Sequence, residues 1–267
     1  WACDLKTFYK IVEHKNLSQK TKIKFEKKKE QILSGKGNDT VFTLFLKIDE
    51  PVETFKKISN GHFFYSPSKN GLGRLNKEEL DYILANFEKL DKDKILNWLD
   101  RFIRFNTFEI SIPAIRDEKM APKGKTGLII SILLDYQLFK KANDCGFLNQ
   151  FVQAFENKII EVLSDSIYPF LKDKIISKFS FNPLSIEKRI GSTDGAIVGW
   201  SFTQKIPVVN RIQSSSKAVI TPFSNIFQAG QWTYSPAGVP MCILTGKLAA
   251  DKIIKKEKNN FNYLLIF

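Results

Sequence analysis

Apolar residues recur along the first thirty positions at helical spacing, as Leu5, Phe8, Tyr9 and Val12 and then Ile23 and Phe25, with a break at Asn16-Leu17-Ser18. That spacing predicts two short helices between Asp4 and Lys29. The period then changes. Residues 41–48 are a β-branched and aromatic run closed by Asp49-Glu50-Pro51, which predicts a well-buried strand, and residues 62–65 predict another. Residues 51–57 between them are polar and short, and residues 66–73 form a loop rich in Gly, Ser, Pro and Asn. A helix is expected over residues 76–99, with Glu78 and Glu79 near its start and Leu80, Ile83, Leu84 and Phe87 on one face before Asp91 interrupts.

Residues 107–112 predict a strand ended by Pro113, and a loop over 114–126 leads to the apolar run 127–134, a second strand able to lie beside the first. Residues 147–163 form the clearest amphipathic helix, with Leu148, Phe151, Val152, Phe155, Ile159, Val162 and Leu163 in one stripe. Residues 175–181 and 187–190 read as extended, broken at Pro183, before a Gly-rich stretch over 191–199 and a surface loop at Ser214-Ser215-Ser216. The last unit reads as a strand over 226–229, a glycine-containing turn and a helix over about 239–254. Exposed amides at the start of such a helix favour phosphate or other developing negative charge. Mixed strands and helices without an internal repeat predict an α+β fold, a mixed sheet covered by helices.

Composition narrows the chemistry. A chain of 267 residues with 43% hydrophobic content can bury a sizeable core. Its formal charge of +13 comes largely from scattered lysines. The densest basic run places Lys20, Lys22, Lys24, Lys27, Lys28 and Lys29 around Ile23 and Phe25. A solvated helix face accounts for that run, peripheral contact with an anionic membrane is the alternative, and without a recognition motif no nucleic-acid partner is expected. Cys3, Cys145 and Cys242 are odd in number and far apart, so neither a disulfide framework nor a metal site is expected, and a cytoplasmic setting, with or without membrane association, fits. His14 and His62 lack the neighbours that zinc or a Ser-His-Asp triad would need and read as structural or exposed. No apolar run reaches the ~18–20 residues of a membrane span. The start at Trp1 suggests a chain that begins within a longer protein, and residues 261–267 read as a last strand, a small anchor or a truncated end.

The segment from Asn225-Ile226-Phe227-Gln228-Ala229-Gly230-Gln231-Trp232, through Pro236-Ala237-Gly238-Val239-Pro240, to Thr245-Gly246-Lys247-Leu248-Ala249-Ala250 resembles the C-terminal flavin signature of the phytoene desaturase and retinol saturase-like family. Three further segments agree in the same order. Ala2-Cys3-Asp4 is similar to the family's Ala-Asp ahead of the substrate domain. Pro113-Ala114-Ile115-Arg116-Asp117 with Ala121-Pro122-Lys123-Gly124 resembles its Pro, Asp, Ala-Pro-x-Gly loop. Asn182-Pro183 leading to Asp194-Gly195 and Gly199-Trp200 resembles its Thr-Pro … Gly-Trp stretch. The family's N-terminal GxGxxG is absent, and neither Gly35-Lys36-Gly37 nor Gly71-Leu72-Gly73 supplies it. Trp232-Thr233-Tyr234 also departs from the desaturases' usual His-containing version.

The resemblance implies an FAD-dependent oxidoreductase that moves hydride between flavin and a carbon–carbon bond of an apolar, isoprenoid or carotenoid-like substrate, with catalysis resting on the flavin. It implies a division into residues 1–4 ending a strand of the FAD domain, a substrate-binding domain over 5–218, a flavin-contacting, Rossmann-like strand–turn–helix over 219–256 and a tail over 257–267. Gly230, Gln231, Gly238, Val239 and Pro240 are the implied flavin neighbours, and Trp200, Trp232 and Tyr234 the implied substrate lining. Asp117 reads as a loop cap. A missing N-terminal FAD-binding half is the implied partner, and the chain alone is expected to be inactive and to bind FAD poorly. The rival reading is a non-catalytic module that binds a lipid or a partner protein.

Overall fold

The computed structural model describes residues 1–13, 17–71 and 77–264, with side chains to 258. His14, the Asn16 break, the second and third residues of Gly71-Leu72-Gly73, the helix start at Asn76 and the end of the tail lie outside the described residues. Helices α1 (Leu5–Ile11) and α2 (Gln19–Ser34) precede strand β1 (Thr40–Ile48), followed by α3 (Val52–Lys56) and β2 (His62–Tyr65). Next come α4 (Lys77–Asn86), α5 (Lys92–Arg104), β3 (Phe108–Ser111), α6 (Pro113–Arg116) and β4 (Thr126–Leu134). Helices α7 (Tyr136–Asp144), α8 (Leu148–Ser164) and α9 (Leu171–Lys174) lead to β5 (Ile175–Phe181) and α10 (Pro183–Ile190), and α11 (Ser215–Ala218) and α12 (Val239–Leu264) complete the order. The fold is α+β. No helix among the described residues is long and apolar enough to cross a membrane.

The chain divides into two compact units, Val41–Ser185 and a terminal unit of Trp1–Thr40 with Ile186–Phe267. The first is built on a five-stranded sheet in the order β2-β3-β4-β1-β5, with β2/β3, β3/β4 and β1/β5 antiparallel. Strands β1 and β4 bury alternate residues, so one sheet face carries Phe42, Leu44, Leu46, Leu128, Ile130 and Ile132 into the core. Phe42 meets Phe155 of α8 at 4.7 Å between ring centroids and Phe139 of α7 at 5.7 Å, which seats both helices on that face. Outside the core, Lys158 of α8 reaches Asp100 of α5 at 2.6 Å, and Arg104 of α5 reaches Glu161 of α8 at 2.5 Å.

In the terminal unit, Asp4 caps α1 by accepting the Thr7 amide at 3.1 Å, and Ser18 caps α2 by accepting that of Thr21 at 3.4 Å. Tyr9 stacks on Phe25 at 5.3 Å, joining the helices around a core of Leu5, Phe8, Tyr9, Phe25, Ile32, Ala196, Trp200 and Trp232.

Three local expectations change. Residues 187–190 are the end of helix α10, not extended chain, because Asn182 accepts the Ser185 amide at 3.0 Å and Pro183 opens the helix. The helix expected over 76–99 is two helices, since the Asn86 carbonyl closes a turn with the Lys89 and Leu90 amides and α5 restarts after Asp91. Residues 226–229 are not a laddered strand: Phe227 bridges Ile220, and the other backbone pairing is to Trp1.

Candidate functional site

The flavin-like motif folds as an extended segment, a glycine turn and the start of α12. The Trp1 nitrogen donates to the Phe227 carbonyl at 2.8 Å, and the Ala229 amide donates to the Trp1 carbonyl at 2.9 Å. One residue bonding on either side of Gln228 is the exchange that parallel strands make, so the first residues run parallel to 227–229. A cleft of about 420 Å³ beside this pair is lined by Trp1, Ala2, Phe227, Ala229, Ala249 and Ile253, among others.

At the end of the segment Gly230 has φ +92°, a conformation that favours glycine, and its amide donates to Oγ1 of Thr245 at 3.0 Å. Thr245 is fully buried on α12 and donates that hydroxyl to the Met241 carbonyl at 2.8 Å. One side chain therefore ties the turn to the helix. Gln231 follows, half-buried, and its carbonyl lies so close to Gly199 that a Cβ there would come within 2.5 Å of it.

Gly238, at φ +138°, opens α12 by accepting the Cys242 amide at 3.0 Å. Val239 is 74% exposed and Pro240 is exposed beside it. The first-turn amides of Val239 and Met241 have no intrahelical acceptor, while Pro240 has no amide to satisfy. The five residues expected beside a flavin thus fall in one turn and one helix start. Behind them, Oε1 of Gln228 and Oγ of Ser235 are buried without a hydrogen-bond partner. Exposed first-turn amides and glycines that allow close backbone approach are neutral hydrogen-bond donors that fit the electron-rich edge of a flavin ring.

The three aromatic residues expected to line a substrate lie behind this turn. Trp200 and Trp232 are 1% and 2% exposed and belong to the core of the terminal unit, and Tyr234 is buried with its backbone bridged to Val209.

A second surface lies on the sheet of the other unit. Register places Phe45 opposite Phe179 and Thr43 opposite Phe181, and the hydroxyls of Thr43 and Ser131 meet at 3.0 Å, which puts Ile129 and Leu133 on the same face. Phe45 and Phe179 stack at 4.6 Å with planes 4° apart, and Phe181 meets both edge-on. An apolar cleft of about 260 Å³ runs over Phe45, Lys47, Met120, Gly127, Ile129 and Phe179. Sequence reasoning missed this face by taking residues 41–48 as a well-buried strand and residues 127–134 as an apolar one, without separating their two faces. The signal available was the polar residue in each run, Thr43 and Ser131, in alternation with aliphatic neighbours.

Among the described residues no group of three or more His, Cys, Asp or Glu could hold a metal ion. His62 pairs with Glu109 at 2.8 Å on the sheet's outer face, and Asp117 caps its loop by accepting the Lys119 amide at 3.0 Å.

No family model matches the chain. Over 148 residues, 55% of its length, the chain is 22% identical to the carotenoid 3,4-desaturase of Haloarcula japonica. Over the same share it is 25% identical to the 4,4'-diapophytoene desaturase (4,4'-diaponeurosporene-forming) of Staphylococcus aureus. The match spans 28% of the length of each of these relatives. The resemblance to the phytoene desaturase-like family is borne out over that part of the chain.

Proposed function

We propose that this chain is the C-terminal, flavin-facing and substrate-facing part of an FAD-dependent oxidoreductase acting on a carbon–carbon bond of an apolar, isoprenoid or carotenoid-like substrate. The observation that carries the reading is the turn at Gly230 leading to the exposed start of α12, within a chain whose curated relatives are carotenoid desaturases. When bound, the flavin would supply the hydride acceptor or donor.

The chain's own residues would do the rest. Gly230 and Gly238 let the backbone come close, the first-turn amides of α12 offer donors, and Thr245 fixes the distance between turn and helix. Trp200, Trp232 and Tyr234 act from behind the turn, holding its shape. The exposed aromatic sheet face around Phe45, Phe179 and Phe181 offers an apolar ligand area to bury. No acid–base side chain is required. The phosphate-binding glycines would come from an N-terminal half, the partner this reading needs.

The test is the visible absorbance of purified protein, taken on the 267-residue chain alone and with an N-terminal FAD-binding half joined ahead of Trp1. Flavin retained in the joined protein and absent from the chain alone is the expected result. No flavin in either would overturn the reading and leave a non-catalytic binding module in its place.

A further inference from the structure

Polar side chains on the outer face of the Val41–Ser185 sheet are largely engaged within the sheet. Thr43 and Ser131 meet at 3.0 Å, His62 and Glu109 at 2.8 Å, and Ser111 donates to the Gly61 carbonyl at 3.5 Å. Lys47 and Ser177 are the exception. They lie two residues beyond Phe45 and two before Phe179, so strand alternation puts them on the same face, and register sets them opposite each other. Both are exposed, and neither has a hydrogen-bond or ion-pair partner among the described residues. Both also line the apolar cleft walled by the Phe45–Phe179 stack, with Ile129 and Met120. The acids nearest in sequence are already taken: Lys125 holds Asp49 at 3.4 Å, Lys174 holds Glu50 at 3.4 Å, and Lys56 holds Glu118, two residues before Met120, at 2.6 Å. An apolar cleft thus has an uncompensated cation and a spare hydroxyl at one end.

We propose that this cleft binds a long-chain carboxylate, its tail over the Phe45–Phe179 stack and Ile129 and its head against Nζ of Lys47 and the Ser177 hydroxyl. An ammonium and a hydroxyl supply one donor for each carboxylate oxygen. A neutral hydrocarbon gains nothing from either group, and a diphosphate brings more charge than one lysine offsets. The lysine stem lies along apolar surface while its head stays in water, so the cation does not spoil the cleft for a tail. The inference rests on the oxidoreductase reading only for this face being the ligand surface; the binding itself needs no flavin.

Fluorescence of cis-parinaric acid, a polyene fatty acid that brightens in apolar surroundings, tests it on the 267-residue chain. Displacement is measured with palmitate, with the branched isoprenoid acid phytanate, and with hexadecanol, the neutral counterpart of palmitate. The better acid is expected to bind roughly tenfold more tightly than hexadecanol, and which acid wins assigns a straight or an isoprenoid tail. Lys47→Gln should remove that preference while hexadecanol stays within about twofold, and Lys47→Arg should keep it. Phe179→Ser should weaken all three several-fold. Lys89→Gln, an equal loss of charge at an exposed site after α4, should change nothing beyond about twofold. Lys47 and Lys89 are both exposed, so circular dichroism should match the parent. Failure of the parent to bind parinarate overturns the proposal. So does a carboxylate preference that survives Lys47→Gln, or one lost equally in Lys89→Gln. Flavin absorbance of the joined protein is scored separately: flavin retained without a carboxylate preference sinks this inference alone, and a carboxylate preference without flavin sinks the oxidoreductase reading alone.

Discussion

Trp200 and Trp232 are joined twice: the indole nitrogen of Trp200 donates to the Trp232 carbonyl at 2.8 Å, and the two rings meet nearly perpendicular with centroids 4.8 Å apart. A residue of the Gly-Trp stretch thereby supports the turn that follows Gly230. Trp200→Phe keeps an aromatic ring but leaves a buried carbonyl without its donor and a void beside it, which should cost about 2–3 kcal/mol. Urea unfolding followed by near-UV circular dichroism should show an earlier transition. An unchanged midpoint would show that the indole hydrogen bond does not hold the turn.

Two glycines of the terminal unit should respond very differently to alanine. A Cβ on Gly37 would sit 2.4 Å from the Thr193 carbonyl oxygen, and the Gly37 amide donates to Asp194 at 2.7 Å. Backbone must move to admit it, so Gly37→Ala is expected to destabilise by about 3 kcal/mol or more. Gly191 has φ +67° but open space around it, so Gly191→Ala should cost only about 1 kcal/mol, for its backbone conformation. Thermal unfolding of the two variants side by side checks the order, and similar losses would contradict the close approach at Gly37.

Much of this fold is written locally. Helix α8 is legible because its apolar stripe and length leave no other reading, and β1 and β4 because β-branched runs end at Asp49-Glu50-Pro51 and Asp135. Long-range partners are not written that way. Nothing near Trp200 indicates that its indole finds the Trp232 carbonyl, so a residue expected to line a substrate lies in a core. The outer face of the sheet was hidden for a related reason: Phe45 reads as core until register sets it against Phe179 instead of under a helix. The glycine turn was legible because φ at Gly230 and Gly238 is a demand that few other residues meet. Its tie to Thr245 spans fifteen positions and was not.

Acid should weaken the join between α5 and α8. A hydrogen bond from Lys158 and the charges of Lys158 and Arg104 outweigh partial burial and hold the Glu161 carboxyl below its ordinary value. A carboxyl lowered in the folded state contributes stability that is fully present above its unfolded value, about 4.3, and is lost as pH falls through the folded one. Glu161→Gln should therefore cost up to about 1 kcal/mol near neutrality, a small amount because the pair is partly solvated, and nothing at the acid end. Urea midpoints of parent and variant should converge as pH drops from 6 to 3. A constant gap would assign the effect to packing.

The tie at Thr245 should be visible without any cofactor. Thr245→Val keeps the side chain's shape and removes the acceptor of the Gly230 amide, which then has no partner in the turn. Amide exchange at Gly230 should accelerate tenfold or more while that of the α8 core stays as in the parent. Equal exchange would show that the turn is held by its glycine geometry alone.

Phe179 offers a way to separate stability from ligand burial on the sheet face. It is 57% exposed and touches its cross-strand neighbour Phe45 by stacking, so Phe179→Ser removes an aromatic pair worth about 1 kcal/mol or less. The core on the other face, under α7 and α8, is untouched, and the thermal midpoint should move by only a few degrees. An apolar dye such as anilinonaphthalene sulfonate should lose several-fold in fluorescence enhancement, because the cleft over Phe45, Met120 and Ile129 loses a wall. Introducing the same change at Phe64, exposed at the far edge of the sheet on β2, should leave dye binding as it was. If both variants lose the dye equally, it is binding scattered apolar surface, and the face around Phe45 has no special claim to a ligand.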